Sequence, residues 1–312
     1  MKMRKYAAML LAVFALTTGC RQQTDGQPDA KNDVEQPDAP ISIVDITGRS
    51  TTLDRPADKI IALTAANCEI LYALGAGDTL VGRGTYCNYP PEVLNVPEVE
   101  SGGSTNIEQI IALEPQVVIM SQMAQTTEQA GALENAGISV VISNALSIAD
   151  VYEDIKVIGA VVGKNSEAAD LIAEMKASFD GITAKTEGKS AQTIYFEVSP
   201  LEYGLWTAGS GTFMDEIAVM LKLENTFSDV SGWGEVSEEQ VISRDPDFIV
   251  SSAMYNFEGP DPVTEIKGRQ SWQDMKAIQN ERVLHTDADE ITRPGPRLVD
   301  AALKLYDFVY AP

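Results

Sequence analysis

The sequence predicts an α/β protein of two lobes, each built on a parallel central sheet, with one long helix between them. Three observations carry this. From about Ile41 onward, short apolar runs of strand type alternate with runs of helical period, the pattern of a parallel sheet covered on both faces. One phrase occurs twice without gaps, STNIEQIIALEPQVVI from Ser104 to Ile119 and EVSEEQVISRDPDFIV from Glu235 to Val250. Between the copies, NSEAADLIAEMKASFDGITAKT places Leu171, Ile172, Met175, Phe179 and Ile182 on one helical stripe. That segment is long enough for about 30 Å of helix.

Taken in order, ISIVDITGRSTTLD alternates and turns at Thr47-Gly48, a hairpin signal. KIIAL is a buried strand, and NCEILYALGA a helix stopped at Gly75 or Gly77. TLVGRG is the next strand. The first copy of the phrase then supplies a cap (Asn106), a short helix, a Glu114-Pro115 break and the strand QVVIM. TTEQAGALENAG reads as a helix, ISVVIS as a strand, and SIADVYEDIKVIGAVVGK as a helix ending near Gly163. The long helix is expected to be capped by Asn165 or Ser166. The second lobe opens on the strand TIYFEVS, followed by a Gly-rich loop entering a helix within PLEYGLWTAGSGTFMDEIAVMLKLENTF. The second copy repeats cap (Ser237), helix, Asp245-Pro246 break and strand. In both copies the Gln three residues after the cap, Gln109 or Gln240, has the place of the reach-back partner in a capping box. AMYNFEGPDPVTEI reads as a loop, SWQDMKAIQNERVLHTD as a helix and short strand, and RPGPRLVDAALKLYDFVY as a Pro-started terminal helix. The expected organisation is residues 1–19 a signal segment, 20–40 a polar linker, 41–162 the first lobe, 163–188 the connecting helix and 189–312 the second lobe.

Composition narrows the function. The chain has 312 residues, 44% of them apolar, and a net charge of −23, which repels nucleic-acid phosphates. A single histidine, His285, argues against a His-built metal site. The start, MKMRKYAAMLLAVFALTTGC, has a basic head and an apolar run too short to span a bilayer, the form of an export signal. LTTGC resembles the lipobox of bacterial lipoproteins, which makes Cys20 the lipidation residue. RQQTDGQPDAKNDVEQPDAP, after it, is a solvated tether. The other cysteines, Cys68 and Cys87, fall in or near predicted loops. An exported pair is compatible with a disulfide and equally with two thiols.

ALGAGDTLVGRG, YCNYPPE, NIEQIIALEPQVVI, WTAGSGTFMDEIAVMLKLENTF, VSEEQVISRDPDFIV and RPGPRLVDAA, in this order and spacing, resemble the substrate-binding lipoproteins of ABC importers for iron chelates and vitamin B12. The resemblance spans roughly Ile41 to the C-terminus. It implies two Rossmann-like lobes joined by a rigid helix, with a ligand in the cleft between them. It also implies an extracytoplasmic, membrane-anchored receptor that delivers its ligand to a permease dimer with ATPase subunits. Family members dock by one Glu per lobe, and the matching positions are Glu108 and Glu239. A carboxylate in the first helical turn also gains about 0.3–1 kcal/mol from the helix dipole.

The loop TYCNYPPE is similar to that of the vitamin B12 binders, so Tyr86 and Tyr89 are candidate walls for a corrin ring, with Trp233 matching a cleft tryptophan. SGGST before Asn106 lacks an aromatic those proteins carry. A broad apolar corrinoid suits aromatic walls. Anionic ferric siderophores would instead call on Arg83, Arg293 and Arg297. Arg293 is a ligand candidate on either account. Heme is a third option, with Tyr255, Met123, Met254 or His285 as iron ligands. An enzyme is disfavoured: TAGSGTF lacks a P-loop lysine, and a lone histidine gives no evident triad.

Overall fold

The computed structural model describes residues 40–101, 104–122, 125–253 and 261–311. The signal segment, Cys20 and all but the last residue of the linker lie outside the described residues, as do Met123, Met254 and Tyr255.

A hairpin of β1 (Ile41–Val44) and β2 (Ser50–Leu53) leads in. Asp45 shapes its turn: Oδ1 accepts from the backbone N–H groups of Thr47 and Arg49. The first lobe then runs β3 (Ile60–Ala62), α1 (Ala65–Ala73), β4 (Leu80–Gly84), β5 (Glu98–Val99), α2 (Ile107–Ala112), β6 (Val117–Met120), α3 (Thr127–Asn135), β7 (Ser139–Ile142) and α4 (Ile148–Val161). Its strands pair in parallel in the order β5-β4-β3-β6-β7. After α5 (Asn165–Lys185) come β8 (Gln192–Glu197), β9 (Leu205–Ala208), α6 (Phe213–Met220), β10 (Leu223–Asn225), β11 (Trp233–Val236), α7 (Glu238–Arg244) and β12 (Phe248–Ser251). The chain finishes with α8 (Pro262–Gly268), α9 (Lys276–Gln279), β13 (Val283–His285), α10 (Ala288–Ile291) and α11 (Leu298–Tyr310). Here the parallel order is β10-β8-β12-β13. The expected fold class is the one observed.

Strand alternation sorts the core into layers. Ile60 and Ala62 face one side of the first sheet, and Ile61 faces the other with Leu63, Val118 and Met120. The inner faces of both sheets, α5 and α11 share a single apolar cluster, from Ile60 through Ile172 and Phe179 to Phe248 and Leu305. Tyr195, Ile249, Trp272 and Val283 make the separate outer layer of the second sheet. The middle of the molecule is therefore common to both lobes and the connecting helix.

The doubled phrase is doubled in three dimensions. Its two strands, β6 and β12, occupy the same place beside β3 and β8. Glu114 and Asp245, before the two prolines, both take a left-handed backbone (φ 49° and 44°). At the next matched position, Gln116 accepts from the N–H groups of Asp58 and Lys59, just before β3. Asp247 accepts from the N–H and hydroxyl of Thr193 at the start of β8. The capping boxes differ. Ser237 and Gln240 form the reciprocal pair, but Gln109 turns away from Asn106 to accept from Glu100 N and donate to Glu98 O, so its side chain stitches α2 to β5.

Several expectations are corrected. The long helix is not capped by Asn165 or Ser166, because α4 breaks at Gly163 (φ 70°) and α5 begins after Lys164 without a side-chain cap. Residues 262–268 form a helix with Asp261 as cap and Pro262 in the first turn, where a loop was expected. The single helix expected from Ser271 breaks into a 3-10 turn, Gln270–Trp272, and the short α9. Pro294 and Pro296 precede α11, which starts only at Leu298.

Asp154 on α4 is a buried carboxylate that the fold tolerates at a cost. Ser143 Oγ donates to Oδ2 at 2.7 Å, while Oδ1 has no partner. Burial pushes its pKa up to about 7, and the nearby Asp150 and Asp45 push the same way. The folded chain thus holds a proton that the unfolded chain loses near pH 4. Stability falls as pH rises from about 4 to about 7. Asp154→Asn is expected to abolish that fall and to raise stability at pH 8 by about 2 kcal/mol, measured by urea denaturation across the pH range.

Candidate functional site: the crevice at the carboxyl ends of the sheets

In open α/β sheets, ligands sit in the crevice beyond the carboxyl ends of the strands. Here those ends belong to two sheets, and hydrogen bonds show that they meet. Asn88, in the loop after β4, donates to Asp289 Oδ2 on α10, just past β13, at 2.8 Å. On another side of the crevice, Leu146 O accepts from Phe213 N, and Ile148 N donates to Glu216 Oε2.

Glu69 on α1 is the centre of the junction. It is only 3% exposed. Arg297 clasps it with two bonds, Nε to Oε2 at 2.9 Å and Nη2 to Oε1 at 2.7 Å. Arg293 Nη1 adds a third to Oε1 at 2.9 Å. Arg293 also reaches Asn88 Oδ1, the Tyr86 carbonyl and Asp289 Oδ1. A buried carboxylate with both oxygens bonded to guanidinium offsets much of its desolvation, and removing it would leave two half-buried cations unpaired.

This placement changes the reading of the arginines. Arg293, expected to face a ligand, is engaged in the lobe junction. Arg297 lies with it, its guanidinium 4.2 Å from the Tyr89 ring centroid. Arg83 is buried beside Glu98 at 3.2 Å and donates to its neighbour's carbonyl, Gly84 O. All three candidate cations have carboxylate or carbonyl partners within the protein. The sequence signal for Glu69 is the acid of NCEIL, and nothing local distinguishes it from a surface helix residue.

The aromatic candidates divide. Tyr86 is 70% exposed and Tyr89 44%. Gly84 lets their loop lie where it does: a Cβ there would come within 2.2 Å of Leu63 O. Trp233 is half-buried on β11, its ring edge-on to Phe213 at 5.8 Å. The strand carrying it was not foreseen, and neither was its antiparallel partner β9. That pair adds two exposed aromatics that sequence reasoning missed, Trp206 on β9 and Tyr203 in the turn after β8. Of the heme candidates, His285 is half-buried at the end of β13, and burial lowers its pKa; the other three lie outside the described residues. Cys68 and Cys87 are both buried, free thiols.

Glu108 and Glu239 sit exposed at the second positions of α2 and α7. The neighbouring Glu238 differs: it accepts from Trp272 Nε1 and Ser271 Oγ.

Two sheets that converge on a crevice, with paired cations and exposed aromatics at its rim, make a two-lobed binding protein. Comparison with known proteins gives its family. Residues 60–290 match the family model described as periplasmic binding protein. The ABC transporter substrate-binding lipoprotein YvrC of Bacillus subtilis (strain 168) is 32% identical over 311 residues, 98% of this chain and 96% of that protein. The vitamin B12-binding protein of Salmonella choleraesuis (strain SC-B67) is 27% identical over 252 residues, 80% of this chain and 89% of its own. A structure described as a possible iron-binding (periplasmic solute-binding) protein from Staphylococcus epidermidis ATCC 12228 superposes with a TM-score of 0.69 at 31% identity, covering 82% of this chain and 100% of that one. The chain belongs to the periplasmic binding protein family, as a substrate-binding protein of the ABC importer type and not an enzyme.

If Glu69 organises the junction, Glu69→Ala should destabilise the protein by about 3 kcal/mol. Glu69→Gln, which keeps an acceptor, should cost less. Guanidinium denaturation curves of the three proteins check this, and equal stability of all three would contradict it.

Proposed function

We propose that the protein is a lipid-anchored receptor whose ligand is a corrinoid, captured in the crevice near Tyr86, Tyr89 and Trp233 and delivered to an ABC permease dimer. The observation that carries the ligand class is the pairing of the cations. Arg83, Arg293 and Arg297 are already bonded to Glu98, Glu69 and Asp289, so an anionic siderophore gains little from them. What the rim offers instead is aromatic surface, which suits a broad, largely apolar macrocycle with amide fringes. The 27% identity to a vitamin B12-binding protein supports the same choice. Arg293 serves this site by holding the Tyr86 loop. The export signal and the polar tether support a lipid on Cys20 that keeps the receptor at the outer face of the cell membrane.

Titration with cobinamide, cyanocobalamin, hemin and ferric siderophores, followed by tryptophan fluorescence, tests the reading. The corrinoids are expected to bind and quench. Binding of a ferric siderophore or hemin without a corrinoid response would overturn it.

Glu108 and Glu239 are the docking acids in this reading. They hold matched positions on the two lobes, and a two-fold permease needs one grip from each. An exposed ion pair contributes only about 0–1 kcal/mol, and bidentate pairing with Arg raises that. Glu108→Ala with Glu239→Ala should leave corrinoid affinity unchanged but reduce uptake by about tenfold, a loss of roughly 1.4 kcal/mol of docking energy. Normal uptake by the double variant would reduce the two acids to helix-dipole residues.

A further inference from the structure

We propose that Cys68 and Cys87 are a reversible modification site, a dithiol that closes to a disulfide and fastens the Tyr86–Tyr89 loop to α1. Cys68 lies on α1 next to Glu69, and Cys87 lies in the loop between Tyr86 and Asn88. Their Sγ atoms approach one acceptor, the Ala62 carbonyl, at 3.7 and 3.8 Å. Both cysteines are buried, at 0% and 1% exposure. A lone buried cysteine acts as a small apolar residue. Two that share one buried acceptor are neighbours in the core, and an exported chain can meet an oxidant there.

The surroundings make the two sulfurs unequal. The adjacent Cys68 lowers the Cys87 thiol pKa against the opposing effect of burial, with Arg293 and Arg83 acting the same way as Cys68. Cys68 is pushed up by the adjacent Cys87 and by burial. Cys87 lies in a loop between exposed Tyr86 and Asn88, whereas Cys68 is inside α1, so Cys87 is the sulfur an oxidant reaches first and the attacking one. Its thiolate opens the disulfide of an oxidant, such as glutathione disulfide or an oxidised dithiol protein, and releases one thiolate. Cys68 then loses its proton and displaces the second thiolate from the mixed disulfide. Two S–H bonds become one S–S bond, and the oxidant takes up two electrons and two protons as two thiols. Access to Cys87 depends on the loop above it, which Arg293 ties to the other lobe through Asn88 and the Tyr86 carbonyl. The disulfide would hold that loop from the α1 side as well. Any effect on ligand binding rests on the corrinoid reading, whereas formation of the bond does not.

The full chain, purified and reduced, is incubated with glutathione disulfide at neutral pH, unfolded, alkylated and mapped by mass. The expected product joins the peptides of Cys68 and Cys87, unalkylated and lighter by two hydrogens, and dithiothreitol restores both thiols. The oxidised form should melt higher by about 5 °C and exchange amide hydrogens more slowly over residues 85–92. In Cys68→Ser, Cys87 should retain a glutathione adduct because no resolving thiol remains. Alkylation of both cysteines in the wild-type protein, a glutathione adduct persisting on Cys87 despite Cys68, or a cross-link without slower loop exchange would each overturn the proposal. If the disulfide forms and slows the loop but leaves cobinamide affinity unchanged, the placement of the ligand against Tyr86 and Tyr89 fails and the modification site stands.

Discussion

One buried carboxylate sets the terms for the crevice. Glu69 belongs to the first lobe, and both of its cationic partners come from the last segment of the second. Burying it requires those partners, since an isolated ionised carboxylate in an apolar setting is very costly. The pairing joins α1 to the segment after α10, and beside it Asn88, in the loop after β4, bonds to Asp289 on α10. It also decides which chemistry is left at the rim. Two guanidiniums that would attract an anion are used to close the protein on itself, and the exposed aromatic rings remain.

The repeated phrase explains why the two lobes present comparable ends. In each copy a capped helix stops at a left-handed acidic residue, a proline follows, and the next strand enters the centre of its sheet. The conformation at Glu114 and Asp245 is an unfavourable one for residues other than glycine, and it recurs at matched positions. Each stop aims the chain back so that the strand lies parallel to its neighbour. The helix start is thereby left near the crevice end of the lobe, and this is where Glu108 and Glu239 stand. The copies diverge where their surroundings differ: Gln109 serves the edge strand β5, while Gln240 completes its own cap.

What the sequence disclosed was local or periodic. The helical stripe from Ile172 to Ile182, the hairpin at Gly48 and the strands of the doubled phrase each rest on residues within a few positions of one another. What it concealed was decided at long range. β9 looks like loop because LWTA is short and flanked by glycine, and it becomes a strand only by pairing with β11, across α6 and β10. α8 was hidden behind its Gly-Pro-Asp-Pro opening, where turn signals outweighed the cap at Asp261. The residues of the candidate site show the same divide. Tyr86, Tyr89, Glu108 and Glu239 stand out by motif, but nothing near Arg293 announces that its carboxylate partner, Glu69, lies more than two hundred residues earlier in the chain. The free state of Cys68 and Cys87 was one of two alternatives the spacing allowed.

The junction also separates what can move from what cannot. Arg297 alone makes two bonds to Glu69, and these, with α5 and the shared apolar cluster, join the lobes through groups outside the Tyr86–Tyr89 loop, although the Arg297 guanidinium also lies against the Tyr89 ring. Arg293 has a mixed role, with one bond to Glu69 and the others to the loop and to Asp289. Displacing the loop therefore breaks the bonds to Asn88 and the Tyr86 carbonyl while leaving the clasp of Glu69 intact. Each such bond, made to a charged donor, is worth roughly 1.5–3 kcal/mol. Separating the lobes would instead expose a continuous core and an ion pair together. Opening the crevice through the loop therefore costs less than opening it by parting the lobes.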